Sequence, residues 1–422
     1  LTTCWSFTDF EMKCRSCGLD TSGPILDLGN QPLANRYLES PDEPEEKFPL
    51  QLCVCLHCWM VQLTHTVPAE QLFSTYSYFT SASAPMVEHA RKCAARYISE
   101  FNLNGQVEPG CEKWVVEVAS NDGYMLQHFQ EAGCACYGIE PAENVGKVAM
   151  DKGIESHTLF FNSATAYGRS PMYNRKATLL LANNVLAHCE DLNDFVSAIR
   201  GALTPYGRAI LEFPYAVDLF ERGEFDTVYH EHVFYFTMTS LVPLFERHGL
   251  RIYDVERIPV HGGALRIFVG TKAFPDQQPS VQDLLDEEQA KGVRSTAFYT
   301  RLQKKVTDAM TKLNLLLASK RRYGQTIAAY GASAKSAVLL NYAGIDHEIV
   351  DFICDTTPVK QGKFTPGTHI PIVPPEALKM RHPDYCLLLI WNFTDHVLKA
   401  EQDYVARGGR FIVAFPEVKI LE

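Results

Sequence analysis

Residues 114–140 read W-V-V-E-V-A-S-N-D-G-Y-M-L-Q-H-F-Q-E-A-G-C-A-C-Y-G-I-E. Residues 114–119 form a short apolar, β-branched run, the composition of a buried strand. Ser120-Asn121-Asp122-Gly123 follows, four turn formers in a row. A helical pattern then runs over 124–132, and 136–140 reads as a second strand. Strand, tight turn, helix and strand make the repeating unit of a parallel sheet covered by helices.

The same alternation continues outward. Toward the C-terminus a helix is predicted over 143–152, a strand over 178–182, a helix over 192–203, a strand over 209–213 and a helix over 240–248. Two strands near 252–258 and 265–269 flank Val260-His261-Gly262-Gly263 and read as a hairpin. A doubly wound sheet closed by an antiparallel hairpin is the pattern of class I methyltransferases. Upstream, 86–101 is a helical entry. From Pro279 the pattern turns helical, with Phe298, Leu302, Val306, Met310, Leu313 and Leu317 at spacings of three and four, a stripe for packing on a domain. A second, smaller α/β series begins near 326–330, with strands at 349–354, 386–391 and 410–415. The chain thus divides into residues 12–74, 75–272 and 273–422.

A length of 422 residues suits several domains, and 46% hydrophobic with 21% charged residues is ordinary globular composition. The net charge of −11 argues against nucleic acid or an anionic membrane as partner. The uncharged run 177–185 is far short of the ~20 residues that span a bilayer. No signal peptide opens the chain, the first dozen residues read as a leader or an appended remnant, and a cytoplasmic location is expected. Six of the 13 cysteines lie within the first 58 residues, a clustering that points to metal in a reducing compartment. Cys14-Arg15-Ser16-Cys17 and Cys55-Leu56-His57-Cys58 are two Cys-x-x-Cys knuckles, able to close four thiolates around a structural zinc ion. The long gap between them leaves room for a strand or hairpin. Cys53 could replace Cys55 in a poorer knuckle, and the alternative is a cluster of reduced thiols. The remaining cysteines read as core filler or inert surface thiols.

Three motifs carry chemistry. The turn Glu117-Val118-Ala119-Ser120-Asn121-Asp122-Gly123 would let backbone amides and a carboxylate approach the amino-acid end of S-adenosylmethionine. Seventeen residues past Gly123, Glu140 stands where an acid accepts hydrogen bonds from an adenosine ribose; Pro141 and Asn183 complete the expected cofactor contacts. A plain βαβ turn is the competing explanation, whereas a dinucleotide fold would want more glycines. Tyr229-His230-Glu231-His232 is the densest titratable cluster, placed after the fifth strand where ligands bind such sheets. If extended, it would put His230 and His232 on one face and Glu231 on the other. Asn184 and His188 are expected at the same mouth. Gly331-Ala332-Ser333-Ala334-Lys335 is a strand-to-helix turn with a hydroxyl and a cation, suited to phosphate.

Taken in order, these motifs resemble the S-adenosylmethionine-dependent sugar C-methyltransferases of branched deoxysugar biosynthesis. The resemblance runs from Cys14 to the C-terminus. Besides the cysteine knuckles and the turn at Glu117, it includes Gln31-Pro32-Leu33-Ala34-Asn35, Tyr229-x-Glu231-His232 and Pro259-Val260-His261-Gly262-Gly263. Tyr330-Gly331-Ala332-Ser333-Ala334-Lys335-Ser336, Asp355-Thr356-Thr357-Pro358-x-Lys360-Gln361 and Trp391-Asn392 continue it. It implies a zinc-binding domain, a Rossmann-like methyltransferase domain and a C-terminal Rossmann-like domain that completes a nucleotide-sugar site. The implied reaction methylates a carbon beside the ketone, most often C-3, of a nucleotide-linked 4-keto-6-deoxysugar. By resemblance His232 is the base, with Tyr229 as rival or partner, and Glu231, Asn184 and His188 orient the sugar and support the enolate. Ser333, Lys335, Lys360, Tyr215 and His261 are the implied substrate contacts.

Two positions depart from the family pattern. Ala119 stands where glycine is usual, and His230 where an acid is common. An N- or O-methyltransferase, and a catalytically silent binding protein, are the alternative readings. For the nucleotide, dTDP is favoured over GDP, and the absence of heptads suggests a monomer or weak homodimer.

Overall fold

The computed structural model describes residues 12–73, 79–105, 112–168, 174–259, 263–271 and 275–421. The expected boundaries at 74/75 and 272/273, and His261, lie outside these residues.

The N-terminal part is a small sheet around the two knuckles. Strands β1 (Leu26–Pro32), β2 (Lys47–Val54) and β3 (Val61–Leu63) pair antiparallel in that order, filling the long gap between Cys17 and Cys55. Their apolar residues, among them Leu26, Leu50, Leu52, Val54 and Val61, are fully buried.

The central sheet contains β4 (Trp114–Val118), β5 (Cys136–Ile139), β6 (Ser156–His157), β7 (Ala177–Asn183) and β8 (Leu203–Pro214). These five run parallel, with β4 between β5 and β7. A short strand β9 (Phe234–Tyr235) follows, and then the predicted hairpin, β10 (Leu250–Ile258) and β11 (Ala264–Thr271), adds antiparallel to β8. The order β10-β11-β8-β7-β4-β5-β6 reverses direction at β4. At such a switch point the carboxyl ends of adjacent strands open a crevice for ligand. Helices cover both faces because the parallel strands are apolar on both sides. The helix Ala84–Phe101 buries Ala90, Cys93, Ala94 and Tyr97 on one of them.

The strand β9 was not foreseen. Its two residues pair with β3, Gln62 opposite Phe234 and Val61 opposite Tyr235, so the N-terminal sheet takes its fourth strand from the middle of the chain. The cysteine-rich segment also docks sideways. The Asn193 amide donates to the carbonyls of Arg15 and Ser16 at 2.9 and 3.0 Å, and Arg247 donates to Ser16.

The helix Arg301–Arg322 carries the predicted stripe, with Leu302, Val306, Met310, Leu313 and Leu317 buried. It leads into a third sheet of β12 (Ile327–Tyr330), β13 (Ile353–Cys354), β14 (Ile372–Val373), β15 (Tyr385–Leu388), β16 (Arg410–Val413) and β17 (Lys419–Ile420). Its order is β14-β13-β12-β15-β16-β17, parallel except for β17. β13 is only two residues of the predicted 349–354 run. No helix among the described residues is long and apolar enough to cross a membrane.

Candidate active site

The four knuckle sulfurs lie within 4.8 Å of one another. Cys14 Sγ is 3.6 Å from Cys58 Sγ, and Cys17 Sγ is 3.5 Å from Cys55 Sγ. A tetrahedron with Zn–S bonds near 2.3 Å needs sulfur–sulfur edges of about 3.8 Å, whereas a disulfide needs about 2.05 Å. Backbone amides of His57 and Cys58 point at Cys55 Sγ, and that of Ser16 at Cys14 Sγ, as a thiolate requires. Cys53 is turned away toward Met12 and Gln62. The donor set fits a zinc ion with no position left open, so this centre folds the segment and takes no part in chemistry.

A second cluster, His89, Cys93 and Glu212, has ligand-like spacing. The Arg266 guanidinium already fills it, 2.9 Å from Cys93 Sγ and 2.7 Å from Glu212, and stands in the place of a cation.

The turn after β4 is tightly wound. Ala119, Asn121 and Gly123 have φ of 53°, 51° and 77°. At Gly123 a Cβ would run into the Ile154 side chain, so this turn requires glycine. Ala119, standing where the family pattern has glycine, adopts the left-handed conformation itself; the methyl group is held there at a strain cost. The main chain of Thr80 donates to Asn121 Oδ1 at 2.9 Å, and the Ser81 hydroxyl donates to Asp122, so the segment before the helix Ala84–Phe101 lies over the turn.

Glu140, at the end of β5, accepts from the amides of Asn121 and Ala142, both at 2.9 Å. Each carboxylate oxygen keeps a second lone pair for a ribose. Burial holds Glu117 well above the usual carboxylate range, and the charges of Glu140 and Asp122 add to it. Glu117 Oε2 and Asp122 Oδ1 are buried without a hydrogen-bond partner. Orphaned buried carboxylate oxygens beside a positive-φ turn fit a ligand that brings an ammonium and a sulfonium, as S-adenosylmethionine does. β7 adjoins β4, so Asn183 and Asn184 open on the same mouth; Asn184 has φ 54° and donates its backbone N–H to the Glu212 carbonyl at 2.7 Å.

The Tyr229–His232 cluster is a turn rather than an extended stretch, so the expected alternation does not hold. The Tyr229 hydroxyl and His232 Nε2 lie 2.9 Å apart, and His232 Nδ1 lies 2.9 Å from the Thr227 carbonyl. A carbonyl only accepts, which puts the proton on Nδ1 and leaves the Nε2 lone pair facing the Tyr229 hydroxyl. The His188 ring stands edge-on to His232 at 4.8 Å, and burial pulls its imidazole down to about 4, so it is neutral at pH 7. His230 turns the other way, toward the Phe48 carbonyl at 3.3 Å, and burial lowers it to about 4 as well. It belongs to the packing of the N-terminal sheet. Glu231 is buried, and burial pushes its carboxyl up to about 7, opposed by the amide of Asn35 at 2.6 Å. Asn35 and Tyr37, both from the cysteine-rich segment, were missed as site residues; Asn35 closes the Gln31–Asn35 motif and Tyr37 lies two residues beyond it, the one signal that could have hinted at them.

On the C-terminal domain, Gly331 (φ 94°) allows a close approach in which a Cβ would sit 2.5 Å from Ile390. The Ser333 hydroxyl is spent capping the helix Ala334–Ala343. Lys335 Nζ is buried without a hydrogen-bond partner, 5.0 Å from the Trp391 ring centre. Trp391 in turn donates its indole N–H to the fully buried Asp226 at 2.7 Å. Lys360 donates to the Ala332 carbonyl at 2.8 Å, which also accepts from the Tyr37 hydroxyl at 2.7 Å. Tyr215 does not face the mouth: its hydroxyl donates at 2.8 Å to Glu288, a buried node that also takes the amides of Met238 and Thr239. The structure thus gathers His232, Tyr229 and His188, seats Glu231 against Asn35, and sets Lys335 and Lys360 on the facing domain. It leaves Tyr215 and Ser333 in structural roles.

A switch-point crevice carrying an acidic, positive-φ turn on one side and a cluster of histidine and tyrosine side chains on the other is the layout of a class I methyltransferase. Family models agree across the chain: a zinc binding domain matches residues 14–73, a methyltransferase domain 86–255 and a C-methyltransferase C-terminal domain 259–416. The chain is 34% identical to C-methyltransferase NovU of Streptomyces niveus over 413 residues, 97% of this chain and 96% of that protein. It belongs to the S-adenosylmethionine-dependent C-methyltransferase family. Among solved structures, magnesium protoporphyrin IX methyltransferase of Synechocystis PCC 6803 with bound SAM shares 14% identity over 43% of this chain and 78% of that chain (TM-score 0.32). A SAM-dependent methyltransferase from Archaeoglobus fulgidus shares 18% over 40% and 71% (TM-score 0.32).

Proposed function

We propose that the acceptor is a nucleotide-linked 4-keto-6-deoxysugar, with dTDP favoured over GDP, and that the methylated atom is the carbon beside the ketone, C-3. The observation that carries this reading is the His232 imidazole, its Nδ1 proton bound by the Thr227 carbonyl and its Nε2 lone pair facing the Tyr229 hydroxyl at 2.9 Å. A C–H bond beside a carbonyl is acidic enough for such a base only if the developing enolate is stabilised. His232 Nε2 takes the proton from carbon, and the C–H electron pair moves into the ring to leave negative charge on the ketone oxygen. Glu231, buried, with His188 and Asn184, both half-buried, orients the sugar and supports that oxygen.

S-adenosylmethionine, when bound by the turn from Glu117 to Gly123 with Glu140, Pro141 and Asn183, supplies the electrophilic methyl group. Lys335 and Lys360 face the cleft from the C-terminal domain, where they contact the nucleotide diphosphate. Burial lowers Lys360 against the pull of Asp355, so an anionic ligand would favour its charged form. We place the enzyme in the cytoplasm, where its zinc thiolates stay reduced.

The test is mass spectrometry of reactions run in deuterium oxide with S-adenosylmethionine and a panel of dTDP- and GDP-linked 4-keto-6-deoxysugars. Gain of one methyl, with loss of the original hydrogen at the neighbouring carbon, is the expected result. Methylation that retains that hydrogen would mean transfer to oxygen or nitrogen and would overturn the reading.

A further inference from the structure

We infer that Asn35, carried by the zinc-binding module, is a positioning residue of the catalytic centre that acts through the Glu231 carboxylate. The inference rests on the reading of Glu231 as a member of that centre. Asn35 and Glu231 are 196 positions apart, yet the amide nitrogen meets Oε1 at 2.6 Å. It is the hydrogen bond that the structure gives the Glu231 side chain among the described residues, and the residue is 5% exposed. A buried carboxylate with one neutral donor is steered by that donor, both in rotamer and in charge.

The module is built to hold the donor in place. β1 ends at Pro32, and the next residues run between the other two domains. Tyr37 donates to the Ala332 carbonyl at 2.7 Å, and the main chains of Leu38 and Phe364 exchange hydrogen bonds at 3.0 and 2.9 Å. On the other side, the turn that bears Glu231 leads straight into β9, which pairs with β3 of the same module. Donor and acceptor are therefore fixed to one sheet, which the zinc knuckles close. The other titratable group set against this carboxyl is Tyr37, whose phenol burial pushes up, with Asp355 and Glu231 adding to the rise; Lys360 lies over its ring at 5.1 Å. Tyr229 and His232 stand on Glu231's own turn and pair with each other.

A double-mutant cycle tests this, using the full chain with zinc content and S-adenosylhomocysteine affinity as controls. Asn35→Ala is expected to lower kcat ten- to a hundredfold with little change in the KM for S-adenosylmethionine. In a Glu231→Gln background it is expected to add less than a twofold loss. Equal losses in both backgrounds would overturn the proposal, because Asn35 would then act by another route. Wild-type turnover by Glu231→Gln would instead overturn the reading of Glu231, a separate failure.

Asn35→Asp keeps the shape and removes the donor, and it serves if the alanine variant does not fold. Its readout needs no substrate. The Glu231 titration midpoint, obtained as the difference between pH–stability curves with and without Glu231→Gln, is expected to rise by a pH unit or more in Asn35→Asp. An unmoved midpoint would overturn the proposal.

Discussion

Replacing Glu231 by glutamine separates what this residue does for stability from what it does for chemistry. Burial holds its carboxyl at about 7 in the folded protein, whereas an unfolded glutamate titrates near 4.3. The native state therefore binds more protons than the unfolded state between those values, and stability falls as pH rises through that window. With 1.36 kcal/mol per pKa unit, the loss is on the order of 3 kcal/mol, complete above pH ~8. Glutamine has nearly the same shape, keeps an oxygen for the Asn35 amide and carries no charge. Glu231→Gln should match the wild type near pH 4.5 and exceed it by about 1–3 kcal/mol at pH 8. Urea unfolding at a series of pH values reads this as a diverging midpoint. Glu224, which burial also raises to about 7, titrates in both proteins and cancels in the difference. Parallel curves, or a variant less stable at pH 8, would refute the argument, since Glu231 would then be adequately solvated or paired.

His232→Asn should lower turnover by about 10²–10⁴ while S-adenosylhomocysteine still binds in calorimetry; loss of binding would place the residue on the cofactor side. Cys14→Ser should reduce bound zinc, measured by elemental analysis, and lower the unfolding temperature, because a three-thiolate site cannot close around the ion. Ala119→Gly should relieve roughly 1–2 kcal/mol of left-handed strain, offset by about 0.5–1 kcal/mol of added freedom in the unfolded chain. The net gain, about 0–1.5 kcal/mol, would show as a higher urea midpoint with unchanged slope.

The central sheet was legible because its strands are continuous apolar, β-branched runs bounded by turn formers, a signal that depends on neighbours in the chain. The hairpin β10–β11 and the stripe of the helix Arg301–Arg322 were legible for the same reason. The cysteine pairs gave themselves away by spacing. What escaped depends on distant partners. β9 has only two residues, too few for any periodicity, and exists because β3 offers an edge. The Tyr229–His232 cluster was visible as a dense run of titratable residues, but its local shape was not, because the turn there rests on the bond between His232 and the Thr227 carbonyl five residues back. Tyr215 was an implied substrate contact by resemblance alone, but a buried carboxylate on a later helix claims its hydroxyl. Asn35 stood inside the Gln31–Asn35 motif, but nothing in the sequence pointed to its partner 196 positions away.

The strand that β3 receives from the middle domain also bears on synthesis. The cysteine knuckles, β1, β2 and β3 all leave the ribosome before residue 64, yet the chain that completes their sheet, at Phe234–Tyr235, follows roughly 170 residues later. At about 5–20 residues per second the nascent module waits on the order of 10–30 s with its last edge unpaired. Metal capture can come early, but Asn35 has no carboxylate to meet until the middle domain is nearly finished. Maturation of the centre is thus tied to translation of its latest-arriving strand.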